Sequence, residues 1–296
     1  MKHTWTLTKS RMRLAIRSRV FIFFSLVMPL AILFLYLGVI GQLGPQLKFY
    51  LLGPVLAITV MGSFWGLSVQ LVLFREQGIL RRFRLAPLEA GAMLASSILS
   101  NYILTLPTVV LELLLARWIF HVDRWGNLWG VWAFVTLGTI TFAAFGLIVA
   151  GVTNSTQEAQ VINNAVWFVF LFLSGATLPL PALPGWVQRV SVFLPPTYLV
   201  TGLQKVQVGG VGLLQVIPEL VALAGGALIA FFISVQLFRW EPEAKVTGRA
   251  KAWAAATIIP FLLLGIWETA NGQLRHDARS VYDSTTRMPS PRDVVK

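Results

Sequence analysis

Three charged side chains within apolar segments are the residues best placed to do chemistry. Glu112 and Arg117 lie in the last third of one segment, and Glu219 lies near the start of another. Ionisable residues inside a membrane are costly and often mark ion pathways. Either Glu112 and Glu219 form a proton or cation relay, or they lie near an interface and pair with Arg117, Arg124 or water. The second interpretation is favoured, because both carboxylates lie closer to a segment end than a relay usually requires.

The sequence has no recognisable catalytic or metal-binding motif. It has no cysteine, and its three histidines (His3, His121 and His276) lie far apart. A metal site is therefore not predicted. The phosphate-binding pattern G-x-x-x-x-G-K-[ST] is absent, as are the hydrolase patterns G-x-S-x-G and H-E-x-x-H. We therefore predict no catalytic residue, no bound cofactor and no ATPase site in this chain.

The composition indicates a polytopic membrane protein. Of the 296 residues, 56 % are hydrophobic and only 12 % are charged, against about 25 % charged in soluble domains. The mean hydropathy is +0.72. The net charge of +12 is better explained by basic loops that set topology and contact anionic lipid than by nucleic-acid binding.

Six apolar stretches are long enough to cross a bilayer, which needs about 20 residues. They cover about residues 20–40, 49–74, 92–115, 128–152, 159–178 and 213–238, and a shorter seventh covers 252–267. The first is too long for a cleaved signal peptide. The sequence therefore predicts an all-α protein with a transmembrane domain over 1–245, an additional membrane segment over 246–272, and a polar flexible tail over 273–296.

The distribution of Lys and Arg predicts a cytoplasmic N-terminus. With that orientation the inside segments carry 14 basic residues up to residue 251, and the outside loops carry five. This bias follows the positive-inside rule. A seventh crossing would place five further basic residues outside, which weakens the rule locally. We favour a crossing over an interfacial seventh segment, although both remain open.

The charged loop from Arg75 to Leu88 has the pattern of an amphipathic helix, which Pro87 would end. Such a helix either lies on anionic lipid or docks a soluble partner, and charge alone does not separate the two. The faces are Ile79, Leu80 and Phe83 on the apolar side, and Arg81 and Arg84 on the basic side.

The stretch between the fifth and sixth spans is rich in proline. Because proline stops helices and removes backbone donors, this stretch predicts short broken helices at one interface that dip back towards the membrane. Aromatic side chains among the prolines suit that position. The residues are Pro179, Pro181, Pro184, Trp186, Phe193, Pro195 and Pro196.

The order of these features resembles the ABC-2 type permeases, the membrane subunits of ATP-driven exporters. The loop REQGILRRFRLAPL (75–88) is similar to the family pattern R-E-x-G-T-L-x-x-L-x-x-T-P-L. The second match is similar to F-x-S-G…P…L-P-x-W…P-x-T-Y. It comprises Phe172, Ser174, Gly175, Pro179, Leu183, Pro184, Trp186, Pro195, Thr197 and Tyr198. The resemblance covers about residues 1–245, with departures at Ile79, Ala86 and Gln204-Lys205.

The resemblance implies a transport subunit in the inner or plasma membrane of a bacterium. Two permease chains, identical or different, would form the pathway, and separate ABC-type ATPase subunits would bind ATP and Mg²⁺. The basic N-terminal segment would be a connecting helix. The expected coupling-helix residues are Arg75, Glu76, Gly78, Leu80, Arg81, Arg82, Phe83, Arg84 and Pro87. The expected exit-segment residues are Ser174, Gly175, Pro179, Pro184, Trp186, Pro195, Thr197 and Tyr198.

We therefore predict the permease subunit of an ABC exporter. The substrate stays open among drugs, small molecules, lipids and lipid-linked glycans. The alternative is a proton-coupled secondary transporter that uses Glu112 and Glu219.

Overall fold

The computed structural model describes residues 8, 12, 22–84, 89–123, 125–240 and 259–286, and within these ranges the regular elements are helices without strands. This confirms the predicted all-α polytopic fold. The helices are α1 (residues 23–43, with π and 3-10 turns), α2 (Pro45–Glu76), α3 (Ile79–Arg84), α4 (Ala90–Trp118), α5 (Leu128–Val152), α6 (Thr156–Leu173), α7 (Gly185–Ser191), α8 (Pro195–Val208), α9 (Ile217–Leu237), α10 (Ile259–Asn271) and α11 (Gln273–Thr286). Short 3-10 turns occupy Leu180–Ala182 and Leu213–Val216.

Five helical stretches in the described ranges are long and apolar enough to cross a membrane. They are Ser25–Leu43, Leu47–Glu76, Ala90–Trp118, Leu128–Val152 and Leu213–Leu237. The predicted fifth span forms α6, an 18-residue helix, but it is not among the five because its first turns carry Gln, Glu and Asn. It ends at Leu173 rather than near 178, since the chain bends at Gly175 with φ +89°.

Local sequence signals explain several helix starts. Proline occupies the first turn of α2 and of α8, where its missing N–H is not needed. The Asn127 side chain caps α5 by accepting from the backbone N–H groups of Trp129 and Gly130 at 3.1 and 3.3 Å. Ser155 caps α6 by accepting from the Glu158 N–H at 3.1 Å. These positions are readable from the sequence because each cap acts within four residues.

Helices α2 and α5 form the centre of the bundle. Gly146 of α5 lies so close to α2 that an added Cβ would meet the backbone of Phe64. Around this contact, the rings of Phe64 and Phe142 both pack against Phe170 of α6, at centroid distances of 5.6 and 5.7 Å. Close backbone approach and aromatic packing thus fix α2, α5 and α6 relative to one another.

The bundle has two ends, which we name by the segments found there. The Arg75 end holds the junction of α2 with α3, the turn between α5 and α6, and the residues after α9, since Arg239 donates to the Thr153 carbonyl. The Pro179 end holds residues 174–212 and the start of α5, whose Asn127 N–H donates to the Val206 carbonyl at 2.8 Å. The two predicted motifs therefore lie at opposite ends.

The C-terminal helices correct one expectation. Residues 273–296 were expected to form a polar flexible tail, but residues 273–286 form helix α11, which packs on α8 and α2 at the Pro179 end. Its apolar residues Leu274, Ala278 and Val281 recur at helical spacing and are buried. The low mean hydropathy of this stretch concealed that narrow apolar face.

Arg239 lies at the Arg75 end of the bundle, and Glu268 and Leu274 lie at the Pro179 end. Helix α10 contains an apolar stretch over Phe261–Ala270, and residues 252–258 of the predicted seventh segment lie outside the described residues. The predicted N-terminal connecting helix also lies outside them, apart from Thr8 and Met12.

Candidate functional site at the two ends of the bundle

Arg75, the first residue of the predicted coupling motif, is buried at the end of α2. Its guanidinium donates to the carbonyls of Ala150 at 2.9 Å and Thr153 at 2.5 Å. Carbonyls at a helix C-terminus lack intrahelical partners and attract cations. Arg75 therefore fastens the end of α2 to the end of α5, and its side chain faces the bundle.

Glu76, the next residue, holds the start of α6. Its carboxylate accepts from the Thr156 backbone N–H at 2.7 Å and, through a very short hydrogen bond, from the Thr156 hydroxyl. A carboxylate at a helix N-terminus interacts favourably with the helix dipole and with N–H groups that have no other partner. The neighbouring residues Arg75 and Glu76 thus bond to the two ends of one turn, Arg75 to the Thr153 carbonyl and Glu76 to the Thr156 N–H.

A second arginine completes this arrangement. Arg239, directly after α9, donates to the Thr153 carbonyl at 2.5 Å and to the Asn154 side chain at 3.2 Å. We name the turn at residues 153–156, with Arg75, Glu76 and Arg239, the turn clamp. It connects four helices, namely α2, α5, α6 and α9, at the same end as α3.

Helix α3 begins three residues after Glu76, the turn-clamp residue at the end of α2. Gly78, with φ +67°, separates α2 from α3, and a residue with a Cβ is strained in that conformation. Leu80 is fully buried in the local core and Arg81 is exposed, as the amphipathic pattern predicted. Arg82, Phe83 and Arg84 continue the helix, and Pro87 lies outside the described residues.

The Pro-rich segment at the other end is held together by hydrogen bonds between its own residues. Thr197 donates its hydroxyl to the Ser191 carbonyl at 2.7 Å, and Tyr198 donates to the Val192 carbonyl at 2.8 Å. These bonds tie α7 to the start of α8, which begins at Pro195. Trp186 is exposed, as suits an aromatic side chain at an interface.

The bend at residues 174–176, which leads into this segment, is also stabilised by a hydrogen bond between its own residues. Ser174 is buried, and its hydroxyl accepts from the Ala176 N–H at 3.3 Å. Gly175 supplies the left-handed backbone, and Pro179 precedes the 3-10 turn at Leu180–Ala182. Pro184 is the N-cap residue of α7. The predicted exit-segment residues therefore occupy one compact, continuous structure.

The two intramembrane carboxylates have partners that the sequence did not suggest. Glu112 is fully buried and accepts from the Thr59 hydroxyl at 2.6 Å, whereas Arg117 lies over the Trp125 ring at 5.3 Å. The structure thus pairs Glu112 with Thr59 rather than with Arg117, because α4 turns this carboxylate towards α2. Arg124 lies outside the described residues.

Glu219 belongs to a different cluster. Lys205 of α8 donates to Glu219 Oε1 at 2.6 Å and lies 2.5 Å from Asp277 Oδ2 of α11. Burial acts to lower the pKa of Lys205, but the two carboxylates outweigh it and hold the pKa above its usual value. Glu112 and Glu219 therefore have separate partners, and no described contact joins them into a relay.

Sequence reasoning missed Lys205, Asp277, Arg239 and the turn at residues 153–156. Lys205 entered only as a loop charge in the topology count and as a departure from the family pattern, and Arg239 entered only as a loop charge. No local pattern marks their partners, which lie 14 to 86 residues away along the chain.

Comparison with known proteins identifies the class. The family model described as ABC-2 type transporter matches residues 2–208. The chain belongs to this family.

The similar proteins are permeases of ABC transporters and resistance systems. One is the daunorubicin resistance ABC transporter permease protein DrrB1 of Streptomyces coeruleorubidus, 29 % identical over 72 % of this chain and 77 % of its own length. Another, "Probable doxorubicin resistance ABC transporter permease protein DrrC" of Mycobacterium tuberculosis, is 27 % identical over 68 % and 75 %. The linearmycin resistance permease protein LnrN of Bacillus subtilis is 23 % identical over 61 % of this chain, which spans about half of that relative (46 %).

The family model matches this chain as far as residue 208. Helices α9, α10 and α11 begin after it. The chain is thus a membrane permease component of an ABC transporter, with two C-terminal helices, α10 and α11, beyond the region that the family model matches.

Proposed function

We propose that this chain is the permease subunit of an ABC exporter and that a separate ATPase subunit drives it by pressing on α3. The observation that carries the proposal is the turn clamp beside α3. A force on α3 would reach α5, α6 and α9 through Arg75, Glu76 and Arg239, because these side chains bond directly to the turn. The ATPase subunit would hold ATP and Mg²⁺.

In this proposal the residues of the coupling motif divide into two roles. Arg75 and Leu80, which are buried, and Glu76, which bonds to the turn, transmit movement. The exposed Arg81 contacts the ATPase. The Arg75 end is then cytoplasmic in a bacterial inner membrane. The Pro179 end faces outwards, and a second permease copy or paralogue completes the pathway. The relatives that act in drug resistance support export of an organic small molecule.

The first test is recovery of the ATPase. The tagged chain is purified from its native membrane in mild detergent, and co-purified proteins are identified by mass spectrometry and assayed for ATP hydrolysis. We expect an ABC-type ATPase in near-equal amount, and Arg81→Glu reduces its recovery about fivefold or more, since reversing one interface charge costs about 1–2 kcal/mol. Arg189→Glu is the matched control, because Arg189 is exposed at the other end.

The alternative, proton-coupled transport, makes a different prediction. In vesicles, depletion of ATP with the pH gradient intact abolishes transport by an ABC exporter. Transport that continues without the ATPase, under the gradient alone, would refute the proposal. Equal ATPase recovery with Arg81→Glu and Arg189→Glu would refute the docking role of α3.

A further inference from the structure

A cavity at the Pro179 end lies between helix α8 of the exit segment and helices α9, α10 and α11. It has a volume of about 270 Å³ and is lined by α8, α9, α10 and α11. Three of these helices, α9, α10 and α11, lie beyond the residues that the family model matches. Its walls combine charged residues with aromatic and aliphatic ones, which is the usual character of a site for a small organic ligand.

The charged wall is acidic. Three carboxylates (Glu219, Glu268 and Asp277) face one ammonium, that of Lys205. Lys205 contacts Glu219 and Asp277, and Glu268 accepts a very short hydrogen bond from the Leu274 backbone N–H. When all three carboxylates are ionised, the lining has an excess of two negative charges. A cation would therefore be attracted to the cavity.

One carboxylate oxygen in this wall has no partner. Glu219 is only 3 % exposed, and its Oε2 accepts no hydrogen bond within the described part of the chain. A buried acceptor without a donor is costly. Lys205 pairs with Oε1 of this carboxylate at 2.6 Å, so a cation in the cavity would interact with the charge of Glu219 without having to contact the buried Oε2.

The remaining wall suits an apolar body rather than a hydrated metal ion. Trp267 and Val221 line the cavity and are half or more exposed, at 50 and 61 %, and Leu264 and Tyr198 lie beside them. Aromatic faces attract organic cations. The described residues also contain no group of three His, Cys, Asp or Glu side chains arranged to hold a metal.

We propose that this cavity binds an organic ammonium attached to an apolar body, with Glu219 and Glu268 as its counter-ions and Trp267 against its apolar part. The ammonium has two possible sources, the ethanolamine headgroup of a phospholipid or a free amine. The proposal concerns binding to the chain itself and holds independently of ATPase docking at the opposite end of the bundle.

The test uses the full-length protein in nanodiscs of phosphatidylglycerol. The probe is 2-phenylethylammonium, and its neutral analogue 2-phenylethanol is the ligand control. Saturation-transfer NMR and calorimetry measure binding. We expect saturable binding of the ammonium, at least about tenfold tighter than that of the alcohol, because a hydrogen bond to a charged group contributes that much.

Matched variants keep the result interpretable. Glu268→Gln and Glu219→Gln should each weaken ammonium binding about tenfold or more, and Glu89→Gln, at an exposed position outside the cavity, should not. Glu219→Gln also alters the bond to Lys205, so Glu268→Gln and Val221→Trp serve as independent variants. Val221→Trp fills the cavity without removing a charge. Unfolding temperatures and size-exclusion profiles identify any variant that fails to fold.

The outcomes separate cleanly. Equal binding of the ammonium and the alcohol, or wild-type binding by folded Glu268→Gln and Val221→Trp proteins, would overturn the proposal. If added phosphatidylethanolamine weakens probe binding in the wild type, the headgroup is the occupant. If phosphatidylethanolamine leaves probe binding unchanged, a free amine is the occupant, and the proposed ammonium-binding site is still supported.

Discussion

The turn clamp makes a prediction that can be measured on the chain alone. Glu76→Gln replaces a carboxylate that accepts from the Thr156 N–H at 2.7 Å and from the Thr156 hydroxyl. The amide keeps one acceptor oxygen but loses the charge and its interaction with the start of α6. A charge-assisted hydrogen bond contributes about 1.5–3 kcal/mol and a neutral one about 0.5–1.5. The helix dipole adds about 0.3–1 kcal/mol.

The local stability of the turn should therefore fall by about 1–2 kcal/mol, because Glu76 is exposed and solvent screens part of the charge effect. This corresponds to an increase of about 5- to 30-fold in amide exchange at Thr156. Hydrogen–deuterium exchange of the purified protein, resolved at residues 153–158, measures it. Glu89→Gln is the matched control, since it makes the same change at an exposed position before α4.

An unchanged exchange rate at Thr156 in Glu76→Gln would refute the reasoning that this carboxylate holds the turn. If the rate rises as expected, the variant also tests transmission. Reassembled with its ATPase, it should hydrolyse ATP while transporting less substrate for each ATP than the wild type does. Equal transport per ATP would show that the turn clamp is structural and does not carry the movement.

Two further changes test the packing that positions these sites. Lys205→Met leaves the Glu219 and Asp277 carboxylates without their ammonium, so unfolding should become easier by about 3–5 kcal/mol, as for other broken buried ion pairs. Thermal unfolding measures this loss, and adding Asp277→Asn should recover part of it; an unchanged melting temperature would contradict the burial of this pair. Gly146→Ala forces a Cβ against the α2 backbone and should cost about 1–3 kcal/mol. Gly62→Ala, where nothing lies within 4 Å of the new Cβ, should be nearly neutral, and equal losses for both glycines would contradict the close contact of α2 and α5.

The turn clamp also changes how the coupling motif is understood. In sequence, Arg75 and Glu76 look like part of an exposed basic loop, whereas in the structure they belong to the bundle and bond to the turn between α5 and α6. Arg81, by contrast, is exposed and has no role in the turn clamp. Substitutions at these positions should therefore differ in effect, with Arg81 changing association and Glu76 changing transmission.

The sequence alone determined the features that depend on neighbouring residues. Apolar length placed the membrane-crossing helices, and the second, fourth and sixth predicted spans agree with their helices to within about four residues. Caps such as Asn127 and Ser155 are also local signals, as is the alternation that buries Leu80 and exposes Arg81. A helix period or a cap acts over a few residues, so the linear order contains it.

Tertiary structure decided every partner across the bundle. Thr59 meets Glu112 although 53 residues separate them, and Thr156 meets Glu76 across 80. The mean hydropathy of residues 273–286 suggested a tail, but α8 and α2 offer a surface on which one narrow apolar face is buried. The donor that each carboxylate contacts depends on how each helix is rotated about its own axis and how far it is shifted along the bundle. Those quantities come from close contacts such as Gly146 against Phe64, which no local pattern specifies.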